Sequence, residues 1–322
     1  MYKRQTYDYN KFKPKITELA KQYTGRDLTL GGDIELGLGL FPTLVVNDVT
    51  FQNASWGTRP QMAQVKRLEI QVALIPILSG EIHISRLTVV NPQIFIEIDK
   101  SGKSNLEFDI PQKPEPAPVE DKAVDGKQHF PKFKEVQIKD GAVTYKDHQS
   151  GKTEAISIEN LSLEAPEFGA LAGIDLKFTY NKTPFQITGD FGQLSGMLNP
   201  EEQWPLNLTI TALGATVSIA GHITNIMEVQ GIDLKLAVKG PDITNFQQVT
   251  GEPLPFRGPF EVAGHLTAAT LENFKISDIA VLLGESKISG EIALNQTSPR
   301  PQIDAKFHSS KLDLRPFVKQ DS

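Results

Sequence analysis

The 322-residue chain contains no cysteine. That absence removes disulfides, cysteine–zinc sites and thiol nucleophiles together, and it is compatible with an oxidising compartment. No apolar run approaches the ~18–20 residues needed to span a bilayer. The greasiest stretch, residues 72–78, is too short and holds Pro76. Residues 1–5 are basic but no apolar segment follows them, so no signal peptide is read there. Trp56 and Trp204 are the only tryptophans and stand far apart, which leaves no aromatic stacking platform. Positive charge is also short. The formal net charge is −6, which argues against wholesale nucleic-acid binding, since neutralising phosphates requires basic stripes. Residues 1–26 are the exception, with seven basic side chains against Asp8 and Glu18.

Motifs for catalysis and metal binding fail on inspection. Gly102-Lys103-Ser104 resembles the end of a phosphate loop, but Glu97 stands where the first glycine belongs. The segment is read as a hairpin turn. Histidines 83, 129, 148, 222, 265 and 308 never fall at metal-ligand spacing. No Gly-x-Ser-x-Gly elbow is present. Glu69, Glu81, Glu97 and Asp175 alternate with apolar residues and are assigned to the wet face of a sheet. No enzyme activity, cofactor or metal is expected.

What the chain does have is a repeated phrase: apolar, any, apolar, any, Gly, polar, apolar. It reads Leu28 to Ile34, Phe185 to Phe191, Val217 to Ile223 and Phe260 to Leu266, with a weaker copy around Gly290. Period-2 alternation places the apolar residues on one face of a strand. The glycine marks a bend, a bulge or a close backbone approach. After its glycine, the repeat offers Asp33, Asp190, His222, His265 or Glu291 as a solvent-facing polar slot. Roughly eighteen such strands, at ~4.8 Å each, would make a very long sheet. The one clear helix covers residues 10–24, where Phe12, Ile16, Leu19, Ala20 and Tyr23 share a stripe. Asn10 is its expected N-cap and Gly25 its stop. Its lysines suit either a helix lying on an anionic membrane surface or a helix plugging one end of the sheet.

Residues 111–130 break this pattern with four prolines among charged residues, and read as a flexible linker loop. They divide the chain into a helix-plus-groove region, 1–110, and a continuing β region, 131–322. On either side, Leu87 to Ile96 and Val136 to Tyr145 echo one another. Each is read as strand, two-residue turn, strand, with Asn91-Pro92 as a turn signal.

Several stretches together resemble the AsmA family of bacterial envelope proteins. They are Tyr9 to Pro14, Tyr23 to Ile34, Leu44 to Asn53, Leu74 to Ile82, Val89 to Ile94, Gly102 to Leu106, Val136 to Tyr145 and Leu312 to Phe317. The resemblance implies a mainly β fold: a long, curved antiparallel sheet forming a chorein-like groove, with an amphipathic helix near the membrane end. It implies an inner-membrane anchor preceding the segment matched here, so the chain is expected to be a fragment of a periplasmic, inner-membrane-anchored protein of a Gram-negative bacterium. It further implies phospholipid acyl chains as partners and a part in outer-membrane biogenesis, with envelope proteins as further partners and no nucleic acid.

On this reading the groove is lined by Leu28, Leu30, Ile34, Val49, Phe51, Leu68, Ile70, Val72, Leu74, Ile82, Ile84, Leu87, Val89, Ile94, Ile96 and Ile98. Phe12, Ile16, Leu19 and Tyr23 form the membrane-proximal helix face. The alternative is an assembly scaffold whose sheets close into a dry sandwich core.

Overall fold

A computed structural model describes residues 8–37, 39, 41–77, 81, 83–108, 132–194, 203–226, 229–247, 251, 256–296 and 300–313. The expected class is observed: among these residues seventeen strands belong to one open sheet, with a single long helix at the N-terminal end. The chain divides into two compact units, Met1–Ser162 and Leu163–Ser322. The linker predicted at 111–130 lies outside the described residues.

The first unit opens with a 3-10 turn, Tyr9–Phe12, that runs into helix α1 (Lys13–Thr24). Asp8, not Asn10, supplies the cap, its carboxylate accepting from the Asn10 N–H at 2.9 Å. The Asn10 side chain is used differently: its Oδ1 accepts from the Ile34 N–H at 2.9 Å and ties the turn to the sheet. Gly25 ends α1 with φ 72°, the left-handed C-terminal geometry its position predicts. The strands then follow as β1 (Leu28–Leu30), β2 (Ile34–Gly37), β3 (Thr43–Gln52) and β4 (Gln61–Val72). A short helical turn α2 (Leu74–Ile77) leads to β5 (His83–Ile98), β6 (Lys132–Phe133), β7 (Glu135–Asp147) and β8 (Thr153–Glu164).

Two strand assignments differ from expectation. Leu87 to Ile96 and Val136 to Tyr145 are not hairpins. Each lies within one unbroken strand, β5 and β7, and the two run parallel, side by side, from Leu87↔Val136 to Ile98↔Asp147. The sheet is therefore mixed, because the chain between β5 and β7 is long enough for the crossover a parallel pair requires. What resembled a turn is a single residue in left-handed conformation, Asn91 (φ 51°) in β5 and Asp140 (φ 53°) in β7. Asn and Asp tolerate this region because their short side chains bond locally. Asn91 Nδ2 donates to the Asp140 carbonyl at 3.1 Å, so the two kinks lie side by side. Asp48 (φ 53°) does the same in β3. Each kink shifts the alternation by one residue, so Leu44 and Val46 before Asp48 share a face with Val49 and Phe51 after it. Ile34, Val46 and Val49 accordingly form one buried cluster with Leu28, Leu30, Leu44, Val65 and Leu68 around them.

The second unit is an antiparallel meander in chain order. Its strands are β9 (Ala172–Tyr180), β10 (Thr183–Phe191), β11 (Trp204–Ala212), β12 (Ala215–Asn225) and β13 (Gln230–Gly240). They continue as β14 (Phe260–Thr270), β15 (Asn273–Leu283), β16 (Ser286–Asn295) and β17 (Gln302–Lys311). Asn181-Lys182 and Leu213-Gly214 have positive φ at both positions, the tight-hairpin geometry that matches the twist of the flanking strands. The repeat glycines sit where backbones press together. At Gly189 (φ 139°) an added methyl would run into the Asn207 carbonyl, and at Gly221 (φ 148°) into that of Asp233.

Candidate functional site: one apolar face in each unit

Directly paired strand residues point to the same face, so the register converts alternation into rows. In the first unit one row joins Ile34, Val46, Leu68, Val89 and Ile138. The next joins Leu36, Leu44, Ile70, Leu87 and Val136. Beyond the kinks, Leu30, Val49 and Val65 form a third, and Leu28, Phe51, Ala63, Ile94 and Val143 a fourth. Val72 pairs with Ile84, which meets Phe133; Ile96 pairs with Tyr145. Ile98 closes the series opposite Asp147, at the polar end of the strand. Thirteen of the sixteen predicted lining residues thus share this face within strands, and Ile98 stands at its margin. Leu74 does not line it: it lies on α2, off the strands, and is 48% exposed. Ile82 lies outside the described residues.

The second unit repeats the design. Phe191, Leu206, Gly221, Leu234, Leu266, Ile276, Ile292 and Ala305 make one row across eight strands. Leu176, Ile187, Ile210, Val217, Val238, Val262, Val281 and Ile288 make another. Local segments cover only parts of this face. Phe256, from the β13–β14 connection, is buried with Ala215 and Phe260, and Ile243 and Phe246 pack on them. Ala165, Ala172, Phe191 and Trp204 form a second buried cluster. Between these covers, Leu208, Ile210, Ile219, Leu236, Ile276 and Ile292 are only half-buried. Each forgoes part of the ~1.5–3 kcal/mol that full burial of an aliphatic side chain provides.

In the first unit the cover is α1, but not by the stripe its spacing suggests. Ile16 packs on the buried cluster with Tyr9, and Lys13, Thr17, Ala20 and Thr24 flank it as half-buried residues. Phe12, Leu19 and Tyr23 stay 45%, 37% and 69% exposed. The helix is rotated so that its small residues meet the sheet.

Sequence reasoning misplaced Glu97. It is not on the wet face: it is fully buried, as is Asn105. Asn53 Nδ2 donates to Glu97 Oε2 at 2.9 Å, Thr58 N–H donates to the same oxygen at 3.0 Å, and His148 Nε2 lies 3.0 Å from Oε1. Asn105 Nδ2 donates to Asn53 Oδ1 and to the Phe95 carbonyl, both at 2.8 Å. Arg26, 7% exposed, donates to the carbonyls of Asn105 (2.6 Å) and Glu107 (2.9 Å). Burial would raise the Glu97 pKa, but the bonds from Thr58, His148 and Asn53 outweigh it and hold it below the usual carboxylate value. This cluster clasps the β3–β4 loop, the end of β5, the turn after it and the chain following α1. Its two central side chains, Glu97 and Asn105, present no surface to solvent. The Gly102-Lys103-Ser104 segment forms the predicted turn beside it, closed by the Asp99 N–H donating to the Lys103 carbonyl at 2.9 Å.

The other face is polar. His265 Nε2 lies 2.7 Å from Asp233 Oδ1 across the β13–β14 pair, and His222 stands opposite Asp233. Both histidines are cross-strand partners, and His265 is half-buried, less open to water than its place after the repeat glycine suggests. Among the described residues no three His, Cys, Asp or Glu side chains could hold a metal ion, and no helix is long and apolar enough to cross a membrane.

The profile of the AsmA family matches residues 4–203. The chain belongs to the AsmA family. This is a bacterial envelope protein family, and the match takes in all but the first three residues of the first unit. The chain is also similar to the AsmA family protein YhjG of Escherichia coli (strain K12), at 21% identity over 354 aligned positions. That alignment takes in 98% of this chain and 51% of the relative, so the chain spans about half the relative's length.

Proposed function

We propose that this AsmA family chain binds phospholipid acyl chains on its apolar face and passes them along it, without chemistry, in the periplasm during outer-membrane biogenesis. The observation that carries the reading is the half-buried state of the central apolar rows within a single layer of strands. Apolar rows running over eight strands with only partial cover leave a face whose burial is incomplete. A half-bilayer is about 15 Å deep, so an acyl chain lying along a row crosses about three strand spacings of ~4.8 Å. It would gain ~0.8 kcal/mol for each methylene it hides. Because successive rows offer the same aliphatic surface, neighbouring positions are nearly equivalent and sliding meets little resistance. A dry sandwich, the alternative expected of a scaffold, would require a second layer over these rows. Among the described residues, each of the four buried clusters is built within one unit, from nearby strands and local connections.

Photo-crosslinking in cells tests the reading. A benzophenone side chain at Leu236, on the apolar face, should capture phospholipid, and one at the neighbouring Ala237, on the opposite face, should not. Equal capture at both positions, or at neither, would refute it.

A further inference from the structure

We propose that a cleft on the polar face of the first unit, under the loop joining β3 to β4, binds an acidic sugar: a hydroxylated ring bearing one phosphate or carboxylate, held through that group by Arg59. The cleft encloses about 150 Å³, and Arg59, Gln61, Gln64, Gln93, Phe95 and Thr144 are among its walls. Gln64 pairs with Gln93, and Phe95 with Thr144. These positions alternate with Ala63, Ile94 and Val143 of the apolar row, so their side chains point away from it. The site is therefore separate from the rows assigned to acyl chains and stands whether or not lipid occupies them.

Arg59 is a fixed cation without a carboxylate. Its Cζ lies 4.1 Å from the centre of the Phe95 ring, and among the described residues its guanidinium makes no ion pair. Stacking uses the faces of the guanidinium and leaves its in-plane N–H groups for the oxygens of an anion. The loop is tied down around it. Asn53 Nδ2 donates to the Arg59 carbonyl and the Asn53 N–H to the Pro60 carbonyl, both at 3.0 Å, while the Thr58 N–H is held by Glu97. The buried cluster thus sets Arg59 in place beforehand, which lowers the cost of binding. The remaining polar groups, three carboxamides and one hydroxyl, are neutral. Such groups both donate and accept, as sugar hydroxyls do, and a space of ~150 Å³ holds a six-membered ring. One anionic group on one hydroxylated ring matches this set.

Isothermal titration calorimetry on the full chain, with glucose-6-phosphate, glucuronate, glucose and inorganic phosphate in turn, reads the site. At least one of the two acidic sugars should bind about tenfold more tightly than glucose or phosphate, each of which lacks part of the contacts. R59Q should weaken that binding about tenfold by removing charge-assisted bonds. K66A, which removes an exposed lysine of β4 outside the cleft, should leave it unchanged. Q93A should weaken the acidic sugar and leave phosphate as in the wild type. Circular dichroism of each variant confirms that the strands remain. Retention on phosphatidylcholine vesicles carrying a glycolipid with a phosphorylated glucosamine headgroup, reversed by the soluble sugar, would assign the site to a headgroup. Calorimetric binding without retention would assign it to a free sugar. Acidic sugars that do not bind, that bind no tighter than glucose or phosphate, or that lose as much in K66A as in R59Q would each overturn the proposal.

Discussion

Placing one charge in the middle of an apolar row should separate lipid binding from folding. Leu236 is the position to use, since it is half-buried on β13 with Ile219 opposite on β12 and Gly264 opposite on β14. Gly264 brings no side chain, so Leu236 meets whatever lies over that part of the face. Replacing it with aspartate removes partial burial worth roughly 1 kcal/mol, and the carboxylate can keep its water because the face is open there. The fold should survive, with a melting temperature lower by about 2–4 °C. A lipid chain crossing Leu236 fares worse. One strand spacing of ~4.8 Å is covered by about four methylenes, and losing their contact costs about 3 kcal/mol at ~0.8 each. Stripping the carboxylate of water instead would cost more. L236D should therefore bind a fluorescent phospholipid at least 100-fold more weakly and slow its transfer between vesicles correspondingly, whereas A237D on the outer face should match the wild type. Unchanged binding by a folded L236D would refute the reasoning.

Three further outcomes follow from the geometry. E97A removes the acceptor that satisfies Asn53 and Thr58 inside the first unit, at a cost of about 3 kcal/mol, and calorimetry should show that unit melting about 6–12 °C lower. Because the folded pKa of Glu97 is depressed, its contribution is complete above the unfolded value of 4.5 and is lost as pH falls through the lower folded value. Melting temperature should thus drop more steeply below pH 4.5 in the wild type than in E97Q, and parallel curves would contradict the assignment. G221A forces a methyl against the Asp233 carbonyl at φ 148° and should cost at least 1–3 kcal/mol, while G39A, with nothing within 4 Å, should leave denaturant midpoints unchanged.

Local alternation and the glycine phrase made most strands and their faces legible, because period 2 needs no tertiary information. Leu234, Leu236 and Val238 could be placed on one face from spacing alone. The kinks could not. Asn91-Pro92 satisfies a turn rule, and only the parallel neighbour carrying Asp140 reveals a strand that bends and continues. Glu97 misled for a similar reason: alternation separates the two faces of a sheet but is silent on what covers the second face. Its acceptors are filled from residues 39 to 51 positions away in sequence, beyond the reach of any local pattern. An Asn53, Asn105 and Arg26 set beside a lone strand carboxylate was the only available signal. The helix was found correctly but its rotation was not, since the stripe by hydropathy omits Thr17 and Thr24, short side chains whose hydroxyls bond to the Pro14 and Ala20 carbonyls of the helix itself.

The central claim is that lipid completes the apolar face. Native mass spectrometry of the chain, purified from cell envelopes in mild detergent, tests it most directly. The account predicts added masses matching one or more intact phospholipids, lost in L236D and kept in A237D. A wild-type chain found only at its own polypeptide mass, folded and stable without any bound lipid, would contradict it.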